Sequence, residues 1–238
     1  MLKQYMIKLV MRVLIVTGVF ALYFYDRNLL LRYLHEPIWT GVNPIGILWC
    51  VFMLIMLCHL VPIRNHTMAR KKALRGEYVP VANYSEPELA AFVRKQNARA
   101  WVVMLVWLGV NAVFGFLYYS DVIGEAELFV LSVFYFLCDY ICILFYCPFQ
   151  SFIMGSRCCV NCRIYDWGHF MMFTPLAFVP NVYTWSLFAM SLVVLIHWEI
   201  VCARYPERIW SGSNKRIQCV NCKDKTCQIK TAIRNSFK

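Results

Sequence analysis

Residues 157–163 read Arg-Cys-Cys-Val-Asn-Cys-Arg, and residues 218–223 read Gln-Cys-Val-Asn-Cys-Lys. The motif Cys-Val-Asn-Cys therefore occurs twice, and a basic residue follows each copy. A Cys-x-x-Cys pair places two thiolates on one metal ion, and two pairs complete a tetrahedral site with four sulfur ligands. A long apolar stretch separates the two pairs. One metal can join them only if both pairs lie on the same side of a membrane.

The composition of the chain is that of a polytopic membrane protein. Hydrophobic residues make up 61% of the 238 residues, charged residues make up 16%, and the mean hydropathy is +0.54. A globular domain averages about 45–50% apolar and about 25% charged residues. The net charge is +11, but the basic residues flank the apolar segments. This arrangement favours contact with anionic lipid headgroups on the cytoplasmic side and disfavours a nucleic-acid partner.

Apolar segments of about twenty residues predict an all-α bundle of transmembrane helices. About twenty residues of helix cross roughly 30 Å of hydrocarbon. The predicted segments of this length are residues 6–25, 45–63, 100–119, 128–147 and 182–203. A shorter apolar piece, residues 164–180, contains Pro175 and Pro180. It is either a short fifth crossing or a re-entrant arm before the final helix.

The predicted organisation alternates membrane segments with basic, polar regions. Residues 1–63 hold the first two segments, 64–99 form a basic cytoplasmic loop with a short helix, and 100–147 hold the third and fourth segments. Residues 148–169 form a cytoplasmic Cys-rich loop, 170–203 hold the short or re-entrant segment and the last helix, and 204–238 form a basic Cys-rich tail. The short helix of the basic loop is predicted to begin after Ser85, with Pro87 in its first turn.

Charge asymmetry predicts the orientation of these segments. The loop at residues 64–99 carries eight Lys and Arg residues, whereas the turn at 120–127 carries three acids and no Lys or Arg. Because basic loops stay in the cytoplasm, the N-terminus and the first loop are predicted inside and the acidic turn outside. The tail at 204–238 carries nine Lys and Arg residues and is also predicted inside. Both termini are then cytoplasmic, and residues 164–180 must enter the membrane and return. Six crossings are favoured over four crossings with a re-entrant hairpin and a final span.

The duplicated motif predicts a cytoplasmic metal-binding module. Zinc is the favoured metal because paired Cys-x-x-Cys motifs are its common structural pattern, and an iron–sulfur cluster is the alternative. Nearby basic residues, Arg163 among them, are expected to offset the charge of the thiolates. The predicted ligands are Cys159, Cys162, Cys219 and Cys222, with Cys158 and Cys227 as additional candidates.

Several polar residues in the apolar segments are candidates for catalysis or for binding a cofactor. Asp139 lies within the fourth segment, where an ionisable residue is costly, and with Asn111 it would form a proton or substrate pocket or an interhelical hydrogen bond. Glu199 lies near the inner end of the last segment. His59 and His197 lie near cytoplasmic ends, where paired histidines would ligate a haem. Hydrogen bonding to neighbours is the favoured interpretation of both histidines.

These observations leave three classes of function open. The first is an inner-membrane protein whose tail is joined to the Cys-rich loop by a zinc site and whose basic tail is a candidate surface for a protein partner. The second is a membrane redox enzyme that passes electrons from an iron–sulfur site towards haem or quinone. The third is a small transporter with a binding site at the broken element, residues 170–180. The sequence has no Gly-rich phosphate loop, His-Glu-x-x-His or Gly-x-Ser-x-Gly motif, so it names no substrate.

Overall fold

The computed structural model describes residues 2–36, 43–60, 78–156, 158, 162–221 and 227, with side chains from residue 6 onward. All regular elements in this part of the chain are helical. An isolated β-bridge joins Pro80 to Asn214, and no strand is formed within the described ranges. The predicted all-α class is confirmed.

Seven α-helices and several shorter helical turns make up the described chain. The α-helices are α1 (Leu2–Tyr25), α2 (Arg27–His35), α3 (Pro44–Leu60), α4 (Glu86–Tyr119), α5 (Glu125–Leu144), α6 (Gly168–Phe173) and α7 (Val182–Arg204). Two 3-10 helices, Arg163–Trp167 and Thr174–Phe178, flank α6 directly, and a π-helical turn covers Phe149–Met154.

Four helices are long and apolar enough to cross a membrane, namely α1, α4, α5 and α7. Their outer faces carry large apolar side chains, as at Leu14, Leu105 and Phe116, which are 61%, 65% and 70% exposed. Apolar surface of this extent is unfavourable in water and is expected where lipid tails surround a helix. Helix α3 is also apolar but has 17 residues, fewer than these four.

The short helix of the basic loop and the third apolar segment form one continuous helix, α4, of 34 residues. The chain has no glycine or proline between Pro87 and Gly109, so nothing in the sequence breaks the helix there. Helix α5 begins at Glu125, three residues before the predicted start of its segment. The amide of Gly124 donates a 2.8 Å hydrogen bond to the carboxylate of Glu127, which caps this start.

The connection after α1 is a short amphipathic helix, α2. Asp26 caps it, because the Asp26 carboxylate accepts hydrogen bonds from the amides of Asn28 and Leu29 at 2.8 and 3.2 Å. Leu30 and Leu34 are buried on one face. The sequence from Asp26 to Pro44 predicts an interfacial piece anchored by Tyr33, Trp39 and Arg32. Helix α2 is consistent with that prediction, and Trp39 lies outside the described residues.

The chain divides into two compact units. The first unit comprises Met1–Val61, Trp107–Tyr140 and Gly168–Val194. Its core includes Phe52, Phe129 and Phe173, and α6 with the following 3-10 helix is buried in it, with Leu176 only 2% exposed. The broken element therefore lies within protein, as irregular backbone at membrane depth requires.

The second unit comprises Pro62–Val106, Ile141–Trp167 and Leu195–Lys238. Its fully buried side chains include Val103, Leu144, Met154 and Trp198. The π-helical turn ends at Gly155, which has a φ of +58°, and the guanidinium of Arg99 donates a 2.6 Å hydrogen bond to the carbonyl of Met154. Both copies of the Cys-Val-Asn-Cys motif belong to this unit.

Candidate functional site

Four of the six candidate metal ligands are among the described residues. Cys162 is buried at 5% exposure, Cys158 is half-buried, and Cys219 and Cys227 are exposed. Cys159 and Cys222 lie outside the described residues, so the geometry of the predicted four-sulfur site is not defined. Within the described ranges, no three His, Cys, Asp or Glu residues are grouped in a way that would hold a metal ion. The candidate donors remain soft thiolates, which suit zinc or iron–sulfur chemistry.

The chain directly after the first motif is tied to the last helix. The guanidinium of Arg163 forms an ion pair with the carboxylate of Glu199. The indole of Trp167 donates a 2.9 Å hydrogen bond to Glu199, and the indole of Trp198 donates a 2.8 Å hydrogen bond to the carbonyl of Arg163. These contacts fix the residues that follow Cys162 against α7.

This arrangement gives structural contacts to two residues that the sequence singled out. Glu199, a candidate catalytic residue, binds Arg163 and Trp167. Arg163, which was expected to offset thiolate charge, forms an ion pair with Glu199, and the candidate ligands Cys159 and Cys222 lie outside the described residues. Both residues belong to the second unit, together with the two cysteine motifs.

The tail is held to the segment before α4 by a set of hydrogen bonds that we call the Asn214 clasp (residues 79–81 and 213–215). The Lys215 amide donates to the Val79 carbonyl and the Val81 amide to the Ser213 carbonyl, each at 2.9 Å. The Asn214 side chain donates to the Arg208 carbonyl at 2.7 Å and accepts from the Val79 amide at 3.5 Å. Asn214 is fully buried, so these polar groups are satisfied within the protein.

Asp139 lies on α5, five residues before the helix ends, and forms an ion pair with Arg12 of α1 at 2.8 Å. Arg12 also donates a 2.6 Å hydrogen bond to the carbonyl of Phe136, and its guanidinium lies 4.2 Å from the centre of the Phe136 ring. Gly168 packs against Asp139 so closely that a Cβ there would lie 2.7 Å from Oδ1. The Asp139 carboxylate, on a candidate membrane span, is thus bound by a cation that itself lies over an aromatic face, and it is closely packed against a glycine.

The predicted pairing of Asp139 with Asn111 is not formed. Asn111 is buried, and its amide donates a 2.9 Å hydrogen bond to the carbonyl of Trp107 on its own helix. Arg12 lies in the first turns of the first apolar segment, a position from which an arginine is predicted to extend to the headgroups, but in the structure it binds Asp139. A nearby carboxylate offers an arginine at this depth a stronger partner than the distant interface.

His59 faces another histidine, His169 of α6, with the ring centroids 4.9 Å apart. His59 is 9% exposed, so this contact is largely shielded from solvent. His197, the histidine with which His59 was considered as a haem-ligand pair, belongs to the second unit, whereas His59 and His169 belong to the first. The sequence had pointed to His169 only as an interface residue or a stand-in metal ligand, and its contact with His59 was not predicted.

The two acids in the first turn of α5, Glu125 and Glu127, have partners on α1 and α2 that the sequence did not indicate. Glu127 accepts hydrogen bonds from the Tyr23 hydroxyl at 2.7 Å and from Arg27 at 2.8 Å. His35 contacts Glu125 at 2.6 Å. The hydrogen bond to Glu127 raises the pKa of Arg27, which stays charged. Arg27 is half exposed, so this pair orients α2 and contributes little to stability.

A cavity of about 40 Å³ lies in the core of the first unit. The broken element contributes Met172, Phe173 and Leu176 to its wall. The other lining residues are Ile15, Leu34, Ile45, Leu48, Trp49, Phe52, Phe129, Ser132, Val133, Phe136, Tyr183, Thr184 and Leu187. None of the lining side chains is charged.

Taken together, the described elements define the class of an all-helical protein with four candidate membrane-spanning helices. No family model, curated protein or solved structure matches the chain.

Proposed function

We propose that the chain is a multi-pass inner-membrane protein in which a four-cysteine metal site joins the C-terminal tail to the Cys-rich loop. The observation that carries this proposal is that the described residues of both Cys-Val-Asn-Cys motifs, Cys162 and residues 219–221, belong to the second compact unit. A shared metal requires the two pairs to lie on one side of the membrane, and common membership of one unit agrees with that requirement. Both pairs and both termini are proposed to be cytoplasmic.

Ordered segments beside each motif support the metal site. The Arg163–Glu199 ion pair fixes the residues after Cys162, and the Asn214 clasp ends four residues before Cys219. Cysteines attached to fixed backbone lose less conformational entropy when they bind a metal than cysteines on a flexible chain. The predicted ligands are Cys159, Cys162, Cys219 and Cys222.

Six membrane crossings remain part of the proposal. Helix α3 has 17 residues, and a helix of that length spans about 26 Å, close to the lower limit for a crossing. The fifth crossing would be residues 164–180, which include the broken element. Its helical residues continue without a gap from 163 to 178, so most of its backbone groups can be satisfied within the segment.

Zinc is the proposed metal, and its proposed role is structural: it joins the C-terminal tail to the Cys-rich loop. Four thiolates hold zinc in a closed tetrahedral site that leaves no open position for substrate. The rival redox function requires an iron–sulfur cluster. Visible absorption of the purified protein separates the two, because zinc thiolate sites are colourless and iron–sulfur clusters are brown.

Metal analysis of the full-length protein, purified in detergent, tests the proposal. The wild type is expected to retain one equivalent of zinc, and Cys219→Ser is expected to lose most of it. Cys50→Ser is the matched control, because Cys50 lies within α3 in the first unit and should leave the metal content unchanged. Equal metal content in the wild type and Cys219→Ser would contradict the proposal.

A second candidate function is transport or binding at the broken element. The cavity of about 40 Å³ beside Met172, Phe173 and Leu176 favours it. Because the lining carries no charge, the part of a substrate held there would be apolar, as the acyl chain of a lipid is. Reconstituted vesicles test movement: a fluorescent short-chain phosphatidylcholine should cross between leaflets faster than in empty vesicles. Equal rates would contradict transport.

A further inference from the structure

The cavity of the first unit presents an apolar surface even where its lining residues carry hydroxyl groups. The Ser132 hydroxyl donates a 2.8 Å hydrogen bond to the carbonyl of Met172. The Thr184 hydroxyl contacts the carbonyls of Val179 and Asn181 at 2.8 and 2.9 Å. These hydroxyls are used within the protein, so they do not create a polar site for a ligand.

Three aromatic rings that line the cavity contact one another. The ring of Phe52 meets the rings of Phe136 and Phe173 edge to face, each with centroids 5.3 Å apart. Such contacts fix the orientation of large side chains, because the positive edge of one ring faces the negative face of the other. Protein interiors seldom keep voids larger than a water molecule. Because the ring contacts fix the side chains that line this cavity, its presence calls for an explanation.

We propose that this cavity binds the end of a hydrocarbon chain from a membrane lipid. Water is a poor occupant, because a buried water needs two to four polar partners and the hydroxyls of Ser132 and Thr184 are already hydrogen-bonded within the protein. Lipid tails are the surrounding medium, since the lining helices α1, α5 and α7 are candidate membrane spans. On α3, Leu48 and Phe52 line the cavity. Ile47 and Val51 of the same helix are exposed, so α3 lies between the cavity and the outer surface of the protein.

The size of the cavity limits what it holds. A volume of about 40 Å³ corresponds to about three water-sized spheres, since one such sphere takes roughly 10–15 Å³. That space suits the terminal carbons of an acyl chain and excludes a sterol ring. This inference deepens the second candidate function because it names the ligand of the same cavity. It requires binding only, so a negative transport measurement leaves it standing.

Photochemical labelling tests the inference on the full chain in lipid nanodiscs. The probe is a phosphatidylcholine with a diazirine at the end of one acyl chain, and the labelled residues are mapped by mass spectrometry. Label is expected on buried Ser132 and Met172 as well as on exposed Phe134, the lipid-facing neighbour of Val133 on α5. Label confined to exposed residues such as Phe134 would overturn the inference.

A cavity-filling variant provides the internal comparison. Val133→Phe should reduce label on Ser132 and Met172 several-fold and leave label on Phe134 unchanged. Val113→Phe makes the same change at a position that is 58% exposed on α4 and should alter neither. If Val133→Phe does not fold, Val133→Leu adds less volume and should give a smaller reduction. Unchanged label on Ser132 in a folded filled variant would refute the site.

A second probe identifies the source of the chain. A free fatty acid with the same terminal diazirine is added in the same nanodiscs. Label on Ser132 from the phospholipid, with or without label from the fatty acid, supports a bilayer lipid as the occupant. Label from the fatty acid alone would overturn that assignment.

Discussion

Arg12 of α1 and Asp139 of α5 form a 2.8 Å ion pair between residues 127 positions apart in the chain. The pair is partly shielded, with side-chain exposures of 22% and 31%. Arg12 also lies 4.6 Å from the centre of the Tyr140 ring. Two candidate membrane spans are therefore joined by a charge pair that also has an aromatic contact.

Removing one partner of this pair should destabilise the protein. Asp139→Leu leaves the Arg12 guanidinium without its carboxylate, and a hydrogen bond to a charged group is worth about 1.5–3 kcal/mol. The double variant Arg12→Met with Asp139→Leu should recover much of that loss, since an apolar pair of similar volume can replace an ion pair. Thermal unfolding in detergent measures the two single variants, Asp139→Leu and Arg12→Met, and the double variant. Additive losses in the double variant would show that the two residues act independently.

Asp139→Asn separates a structural role from a chemical one. The amide keeps the shape of the carboxylate and can accept a hydrogen bond from Arg12, but it cannot titrate. If Asp139 is a working acid, the variant should keep its melting temperature and lose function, measured as lipid movement in the vesicle assay. Parallel losses of melting temperature and function would assign Asp139 a structural role.

Gly168 should not tolerate a larger side chain. A Cβ at this position would lie 2.7 Å from Oδ1 of Asp139, so Gly168→Ala must displace the carboxylate from Arg12. The melting temperature should fall by an amount similar to that of Asp139→Leu. Gly109→Ala is the control, because no atom lies within 4 Å of its added Cβ and alanine is the better helix former. Equal melting temperatures for both variants would contradict the close contact.

The Asn214 clasp should protect part of the tail independently of the metal. Asn214→Ala removes the side-chain bonds to Arg208 and Val79, and each lost bond costs about 1 kcal/mol. Limited proteolysis should then cut within residues 204–217. Cys219→Ser should expose only the chain after Gln218, because the clasp remains. Ser211→Ala, at an exposed position, is the control and should give the wild-type pattern.

The predicted orientation has its own test. In a cysteine-free chain, a single cysteine at Lys238 should react with an impermeant maleimide only after the cells are lysed. A single cysteine at Val122, which is 67% exposed in the acidic turn, should react in intact cells. The reverse pattern would require an inverted topology.

Hydrophobic length was sufficient to find the four candidate membrane-spanning helices. The predicted segment at residues 182–203 corresponds to α7, Val182–Arg204, and the segment at 6–25 lies within α1. The predicted segment at 45–63 corresponds to α3, which has 17 residues and is not among the four. The end of α5 was placed three residues too late, at Cys147 instead of Leu144, because the prediction extended the apolar run to Pro148.

The partners of the polar residues could not be predicted. The position of Asp139 in an apolar segment marked it as unusual, but periodicity within one helix says nothing about which residue of a distant helix faces it. Arg12 had a plausible local role near the headgroups, so no signal directed it to Asp139. Asn214 lies in a polar tail, where an asparagine is ordinary, and only its complete burial identifies the clasp.

The Asn214 clasp also sets the effective concentration of the second cysteine pair. Without it, Cys219 would end a flexible chain of sixteen residues that starts at Arg204, and the cost of closing such a loop grows with its length. With Lys215 bound to Val79, only three residues separate Cys219 from fixed backbone. Binding by the second pair then resembles an intramolecular step at raised local concentration. Metal affinity should therefore depend on an asparagine that never touches the metal.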